Sequence, residues 1–378
     1  MRCSVDLSRK PQLDFLFRYE ARFDISCPLG GAMLPGTSWL AFMRITNQLG
    51  KPKLMGEEFD IPQISRDATG EFDAPLSGLD VSLSGGFALG PGKYVVEIAL
   101  TSPRGNAFLG RWRVKCGEDK AERHTPSALE SGAVEPFQGA SWDGALAKRG
   151  LRLTVLLHVD MPGSWWAARF NMFNTSNREY LLQSLASLLH QLPVQSVDLI
   201  AFSLDGQTVF FQRNSLDAAG FLELKKAVEQ EKFDTVSYQA LRKGSWAKFL
   251  VDLMRRQADS AQPPDAMVFI GPWGSHANEK LPQNLLGKLE FHNIRIFDLD
   301  YCKQTGTLPD GIERITKELH GTDYPIDSPR DLAHSIEAMP PQIRAAARLS
   351  NSEAPSPRTH SSKPGTVISS ERPSSLKP

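Results

Sequence analysis

The sequence lacks most of the features that assign a function on sight. Four cysteines in 378 residues, Cys3, Cys27, Cys116 and Cys302, are too few for a disulfide-dense scaffold. None forms a Cys-x-x-Cys pair or a Cys/His cluster, which disfavours structural zinc. No run approaches the ~18 to 20 apolar residues that a membrane helix needs. The best candidate, Leu151 to Val159, is broken by Arg152 and His158, so no membrane insertion is expected. Neither sign of charge dominates: 43 basic side chains face 43 acidic ones, without the electrostatic footprint of a nucleic-acid binder. Residues 1–10, MRCSVDLSRK, carry charges but no apolar h-region, so no export signal is expected in this form. A periplasmic or extracellular location would need a start upstream of Met1; a cytoplasmic one follows if Met1 is the true start.

Catalytic motifs are equally scarce. The glycine-rich stretch Gly86 to Tyr94 fails phosphate-loop spacing, with Phe87 five residues before Gly92 and Tyr94 in place of Ser/Thr, and it leads into a strand where that loop requires a helix. Ser245-Trp246-Ala247-Lys248 satisfies Ser-x-x-Lys, but two fixed residues recur by chance, and the companion motifs are missing. There is no Gly-x-Ser-x-Gly elbow, and the eight histidines show neither His-Glu-x-x-His nor ligand spacing. No catalytic residue is assigned. A hydrolase built on Ser164 or Ser245 would need a base and an oxyanion hole that no motif supplies.

What is present is enough apolar content, 41%, for ordinary cores, and a length that suggests about two domains. Residues 11–27 alternate, with Leu13, Phe15, Phe17, Tyr19, Ala21, Phe23 and Ile25 on one parity and mostly charged residues on the other, predicting one long strand. Further strands are predicted over 38–46, 59–64, 93–102 and 108–116, separated by Gly, Pro, Asn and Asp clusters. The last two flank Pro103-Arg104-Gly105-Asn106 and read as a hairpin with Tyr94, Val96, Ile98 and Leu100 facing inward, joined by Trp112 and Val114. An antiparallel, immunoglobulin-like β-sandwich over residues 1–117 is therefore expected. Residues 118–149 show no apolar period and read as a linker.

From Leu151 the character changes. Leu151 to Asp160 is almost continuously apolar, as suits a strand covered on both faces by helices. Helical spacing follows through Tyr180 to Leu192, then through Phe221, Leu224 and Val228, and again through Phe249, Leu250, Leu253 and Met254. Between the first two helices, residues 196–212 divide into strands around Asp205-Gly206, a hairpin signal. Apolar strands at 266–271 and 293–299 complete an alternation that predicts a doubly wound, mostly parallel α/β sheet over 150–347. From 348 the Ser/Pro-rich tail to residue 378 is expected to be disordered.

In open α/β sheets ligands bind beyond the carboxyl ends of the strands. Asp160-Met161-Pro162-Gly163-Ser164 occupies such a place, and with the preceding strand it resembles the first metal-site segment of the von Willebrand factor type A (VWA) family, normally Asp-x-Ser-x-Ser. The order of elements over about 151–345 is similar to that family, ending in Gly321 to Pro325 and Asp331 to Ile336, which look like the closing turn and last helix of bacterial members. The resemblance implies a site for a divalent cation held by an Asp, hydroxyls, a Thr and a later Asp. Matched by position, Asp160, Ser164 and Thr235 correspond. Pro162 replaces the first Ser, and Ile270-Gly271-Pro272-Trp273-Gly274 has no carboxylate where the later Asp belongs. Two oxygen ligands and one charge are lost, so a degenerate site is expected and no cofactor is assigned. The alternative is a reduced site holding Mg²⁺ weakly with waters completing the shell. Read without the resemblance, Asp160 is an acid that satisfies backbone N–H groups at the sheet edge.

Trp165, Trp166 and Trp273 fall on the same strand-end rim, either as an apolar hot spot for another protein or as a cover for the sheet end. The function expected is a non-enzymatic, secreted interaction module of adhesion type, the export being inferred from the family's habits. In an oxidising compartment Cys3 and Cys116 would pair if the first and last strands adjoin, with Cys27 as the competing partner.

Overall fold

The computed structural model describes residues 3–7, 10–28, 36–61, 80–102, 105, 107–117, 125–160, 178–230, 246–273, 281, 294–301, 303 and 308–353. The chain is multidomain and rich in β-structure, with antiparallel sheets followed by a mixed sheet flanked by helices.

The first part holds two antiparallel sheets. One runs β1 (Ser4–Leu7), β3 (Tyr19–Pro28), β6 (Asp80–Leu89), β9 (Val134–Pro136), with the short β2 (Gln12–Leu13) also on β3; the other runs β5 (Pro52–Asp60), β4 (Ser38–Asn47), β7 (Gly92–Thr101), β8 (Ala107–Cys116). The alternation of β3, β4 and β7 places Phe23, Ile25, Trp39, Ile45, Val96 and Leu100 in one core, each almost wholly withdrawn from water. Tyr94, Val96, Ile98, Leu100 and Val114 are buried, and Trp112 is half-buried. The hairpin pairs Thr101 with Ala107.

Four expectations change. The strand expected over 11–27 is interrupted, because Phe17 takes a left-handed φ of 59° and Asp14 N–H donates to Arg18 O at 2.8 Å. The Asp14 carboxylate fixes that turn, accepting from Leu16 N–H, Arg18 N–H and the Arg18 guanidinium. The strand expected at 59–64 lies earlier, at Pro52–Asp60. The linker is not free chain: β9 joins a sheet, Ala140 and Trp142 are buried, Gly90 N–H donates to Ala133 O, and Arg18 Nη2 donates to Gln138 O. Its apolar anchors are too sparse to show a period. Finally, Cys3 is bonded to Cys27, not to Cys116. The antiparallel register that sets Ser4 opposite Ser26 brings Cys3 to Cys27 one step further along, with Cα atoms 4.3 Å apart. Cys116 ends β8 in the other sheet, opposite Gly92, and is a buried thiol; Cys302 lies outside the described residues.

The second part is a six-stranded sheet of order β12 (Thr208–Arg213), β11 (Val194–Ser203), β10 (Leu151–His158), β13 (Ala266–Pro272), β14 (Arg295–Tyr301), β15 (Thr322–Ile326). All pairings are parallel except β11 with β12. The turn between those two lies at Asp205-Gly206 as expected, although Gln207, with φ 48°, takes the left-handed conformation. Helices α1 (Glu179–Gln191), α2 (Ala218–Gln230) and α5 (Pro329–Glu353) join the core on one face, and α3 (Trp246–Ala258) and α4 (Gly311–Glu318) the core on the other. β10 feeds both: Leu153, Val155 and Leu157 point one way and Leu156 the other, which is why its sequence is continuously apolar. α5 runs past residue 347 to Glu353, and residues 354–378 lie outside the described ones.

The two parts share one core. Phe15 enters the second part edge-on to Tyr301, with ring centroids 5.4 Å apart, and its carbonyl accepts a bond of 2.6 Å from Ser187 Oγ.

Candidate functional site

The carboxyl ends of the parallel strands form the rim where chemistry was expected. Asp160 leaves the end of β10 two residues after His158, and this extended spacing puts both side chains on one side of the chain. His158 Nε2–H donates to Asp160 Oδ2 at 2.7 Å, and the same oxygen accepts from Leu204 N–H at 2.7 Å and Asp205 N–H at 2.9 Å. The carboxylate thus ties the end of β10 to the β11–β12 turn, which a second bond reinforces, Gly206 N–H to Ser203 Oγ at 2.8 Å.

Burial alone would raise the Asp160 pKa, but the facing His158, the Ser203 hydroxyl and the Asp205 N–H outweigh it and hold the carboxyl at about 2. Burial likewise works against a charged His158, yet Asp160 wins and its pKa is raised. The result is a buried ion pair, with His158 at 0% exposure stacked on Phe202 at 5.4 Å. The pair has the outline of a catalytic base with its orienting acid. A base must reach a substrate proton, and this ring is sealed. Its Nδ1 has no hydrogen-bond partner among the described residues.

On the other side of His158 the neighbouring strand β13 carries Gly271, where a Cβ would lie 2.6 Å from His158 Cβ. Glycine stands there because the imidazole occupies the space. Pro272 and Trp273 follow, with no carboxylate. Trp273 N–H donates to Tyr301 O at 2.7 Å and its indole Nε1–H to Leu308 O at 3.3 Å, so the ring leans on the segment that enters α4.

A buried acidic cluster continues the rim. Asp298 and Asp300 lie on β14, Asp323 sits opposite Asp298 on β15, and Asp310 caps α4 by accepting from Glu313 N–H at 2.9 Å. Lys303 Nζ lies among them, 2.5 Å from Asp323 Oδ2, 2.9 Å from Glu313 Oε1 and 3.8 Å from Asp300 Oδ2; Lys317 also bonds Glu313. Burial first, then the carboxylates of Asp310 and Asp323, lift Asp300 to about 9. Burial and the Asp300 charge push Asp298 well above its ordinary value. Among the described residues, Asp300 Oδ2, Glu313 Oε2 and Asp323 Oδ1 have no hydrogen-bond partner. Even so, among the described residues no three His, Cys, Asp or Glu side chains converge in a geometry that could hold a metal ion.

Of the residues expected at the site, the structure places Asp160 and Trp273. Ser164, Thr235, Trp165 and Trp166 lie outside the described residues, as does Ser245. The Asp160–His158 pairing and the acidic cluster were not anticipated, and both left a signal. His-x-Asp closes an apolar strand at 158–160, and Asp-x-Asp interrupts another at 298–300, where an unpaired acid would be too costly to bury.

No protein-family model and no curated protein matches the chain. Among solved structures, a Bordetella pertussis protein carrying the name ApaA is similar at 11% identity and a TM-score of 0.20, over 31% of this chain and 96% of that one. A glycosyl hydrolase family 2 member from Bacteroides cellulosilyticus is similar at 10% identity and a TM-score of 0.20, over 84% of this chain and 36% of that one. Likenesses at these TM-scores bear on neither fold nor function.

Proposed function

We propose that this chain is a non-enzymatic binding protein: an accessory immunoglobulin-like sandwich joined to a VWA-like module that has lost its ion site and receives another protein on its strand-end rim. The observation that carries this reading is the commitment of Asp160. In a sheet ordered β12-β11-β10-β13-β14-β15 with one antiparallel edge, the acid after the central strand is occupied by His158 and two backbone N–H groups. The neighbouring strand ends in Gly271-Pro272-Trp273, so an oxygen-rich shell of the kind a hard cation requires is not assembled from these two strands. A side chain that leans across the rim, Trp273, stands where such a shell would be completed, and aromatic residues are favoured anchors in protein interfaces. The Cys3–Cys27 bond agrees with work in an oxidising compartment.

Thermal melts of the full chain with Mg²⁺, Mn²⁺ and Ca²⁺ test the loss of the ion site. No saturable shift is expected, and a shift abolished by Asp160→Asn would overturn the reading. The rim is tested by a photo-crosslinking phenylalanine derivative at position 273 against the same probe at Leu222, exposed on α2. Discrete adducts to one protein from position 273 alone are expected; equal labelling from both positions would remove the rim from consideration.

A further inference from the structure

The two sheets of the first part turn very different faces outward. On β1, β3 and β6 the outward positions hold Asp6, Arg22, Asp24, Ser26, Ser82 and Ser84, a face suited to water. The β5-β4-β7-β8 sheet instead turns out Leu40, Phe42, Leu54 and Leu109, four of the nine large apolar side chains that are exposed among the described residues. Leu54 and Leu109, on the two edge strands, are 73% and 75% exposed. An apolar patch gathered on one face marks an interaction surface.

Register fixes the pattern around it. Phe42 stands between Gly56 and Ala99, with Leu109 beyond; one step along, Arg44 stands between Leu54 and Glu97, with Arg111 beyond. The Glu97 carboxylate lies 3.7 Å from Arg44 Nε and 3.5 Å from Arg111 Nε, leaving one positive charge over the middle of the face. Because Ala99 is small, a shallow groove of about 450 Å³ opens between Phe42, Leu54, Leu109 and Arg111. The remaining charge collects at two diagonal corners. Glu58 and Asp60 mark the end of β5, and Lys93, Arg113 and Lys115 mark the far end of β7 and β8. The other two corners, Thr46 with Pro52 and Thr101 with Ala107, are uncharged.

Such a pattern is its own complement. A two-fold axis lying between two of these faces, and crossing the strands towards the uncharged corners, sets each acidic corner on the basic corner of the other copy. It also brings each Phe42 ring towards the other copy's groove, where it covers the guanidiniums of Arg44 and Arg111. At about 4.8 Å between strands and about 3.4 Å per residue, four strands of nine or ten residues present roughly 650 Å² on each copy. The roughly 1,300 Å² covered between two copies exceeds the ~1,000 Å² expected of a specific interface. A partner of one sign of charge, or an anionic membrane, would meet its own sign at one corner. A second copy meets the opposite sign at both.

We propose that the chain forms a two-fold dimer through the outer face of the β5-β4-β7-β8 sheet, with Phe42, Leu54 and Leu109 at its centre and the charged corners setting its orientation. An interface of this kind is isologous, the commonest form of protein assembly. The proposal is independent of the strand-end rim.

The test is sedimentation equilibrium of the full chain over micromolar concentrations, where a mass twice that of the chain is expected. Phe42→Lys, at an exposed position, should raise the dissociation constant at least about tenfold. Charge reversal then tests the orientation. Glu58→Lys/Asp60→Lys and Arg113→Glu/Lys115→Glu should each be monomeric alone, because like charges then face each other at both corners. An equimolar mixture should form a dimer of one copy of each, which native mass spectrometry resolves and which shows that both variants fold. A wild type that stays monomeric, a dimer indifferent to Phe42→Lys, or two reversed variants that fail to pair would each overturn the proposal. Recruitment of the monomeric wild type to anionic vesicles would overturn it in favour of a membrane.

Discussion

The acidic cluster around β14 makes the stability of the second part fall as the solution becomes more alkaline. Five carboxyl groups, Asp298, Asp300, Asp310, Glu313 and Asp323, face two ammonium groups, Lys303 and Lys317, in a site where Asp298 and Asp300 are 4% and 3% exposed. They cannot all ionise without leaving buried charge unpaired. Asp300 therefore keeps its proton in the folded chain up to about pH 9, whereas its ordinary value is 3.8. Between those two values the unfolded chain has released a proton that the folded chain retains, so stability is greatest at acid pH and is lost as pH rises, by about 1.4 kcal/mol per unit for one group. From pH 6 to pH 8, well inside the window, Asp300 alone costs about 3 kcal/mol, a large part of a typical total of about 5–15 kcal/mol. His158, whose pKa is also raised, contributes in the same direction. The informative quantity is therefore the difference between wild type and Asp300→Asn, which keeps the shape and removes the proton. Denaturant melts at half-unit steps from pH 5.5 to 8.5, with hydrogen exchange read on β14 and β15, should show a shallower decline for the variant and a crossover making it the more stable chain near pH 8. Parallel wild-type and variant curves, or a wild type that gains stability towards pH 8, would refute the reasoning.

Gly271→Ala should lower stability by about 1–3 kcal/mol through overpacking against His158, measured by thermal melting, with Gly56→Ala as a control for a strand glycine whose Cβ would meet nothing nearer than 3.8 Å. Cys27→Ser opens a bridge between residues 24 apart and should cost about 3 kcal/mol; reduction of the wild type should reproduce the loss. Asp160→Ala leaves His158 buried beside two unanswered backbone N–H groups and should cost about 3–5 kcal/mol near neutrality. Because Asp160 is held at about 2, about 2.5 kcal/mol of that contribution is present above pH 3.8 and fades as pH falls towards 2, so the gap between wild type and variant should narrow in acid. Ser187→Ala should remove about 1 kcal/mol from the attachment of the two parts, seen as earlier exposure of α1 in hydrogen exchange.

The elements that the sequence announces clearly are those whose neighbours are local or repetitive. β7 and β8 alternate strictly and meet across a short turn, and β10 is apolar because helices cover both faces. The features it conceals depend on partners far along the chain. Asp14 breaks a long alternation at 11–27 because its carboxylate collects two N–H groups and a guanidinium from the next four residues, a local competition that a parity count does not weigh. Cys3 finds Cys27 through the register of β1 on β3, and β1 is too short for its four residues to reveal a period. The β9 segment carries nothing that distinguishes an added edge strand from a connector.

Helix α1 shows the same principle most plainly. It announces in sequence only its apolar spacing from Tyr180 to Leu192, which says nothing of what Gln183, Ser184 and Ser187 meet. In the fold every residue from Leu181 to Leu189 is buried, because Phe15 of the first part also packs against this helix. Two of those polar residues are then satisfied within the chain, Ser187 on Phe15 O and Ser184 between Tyr180 O and Tyr301. Gln183 alone of the three is turned towards open space. How much of a helix's polar side folding covers is illegible in a one-dimensional pattern, since it is decided only when the two parts meet.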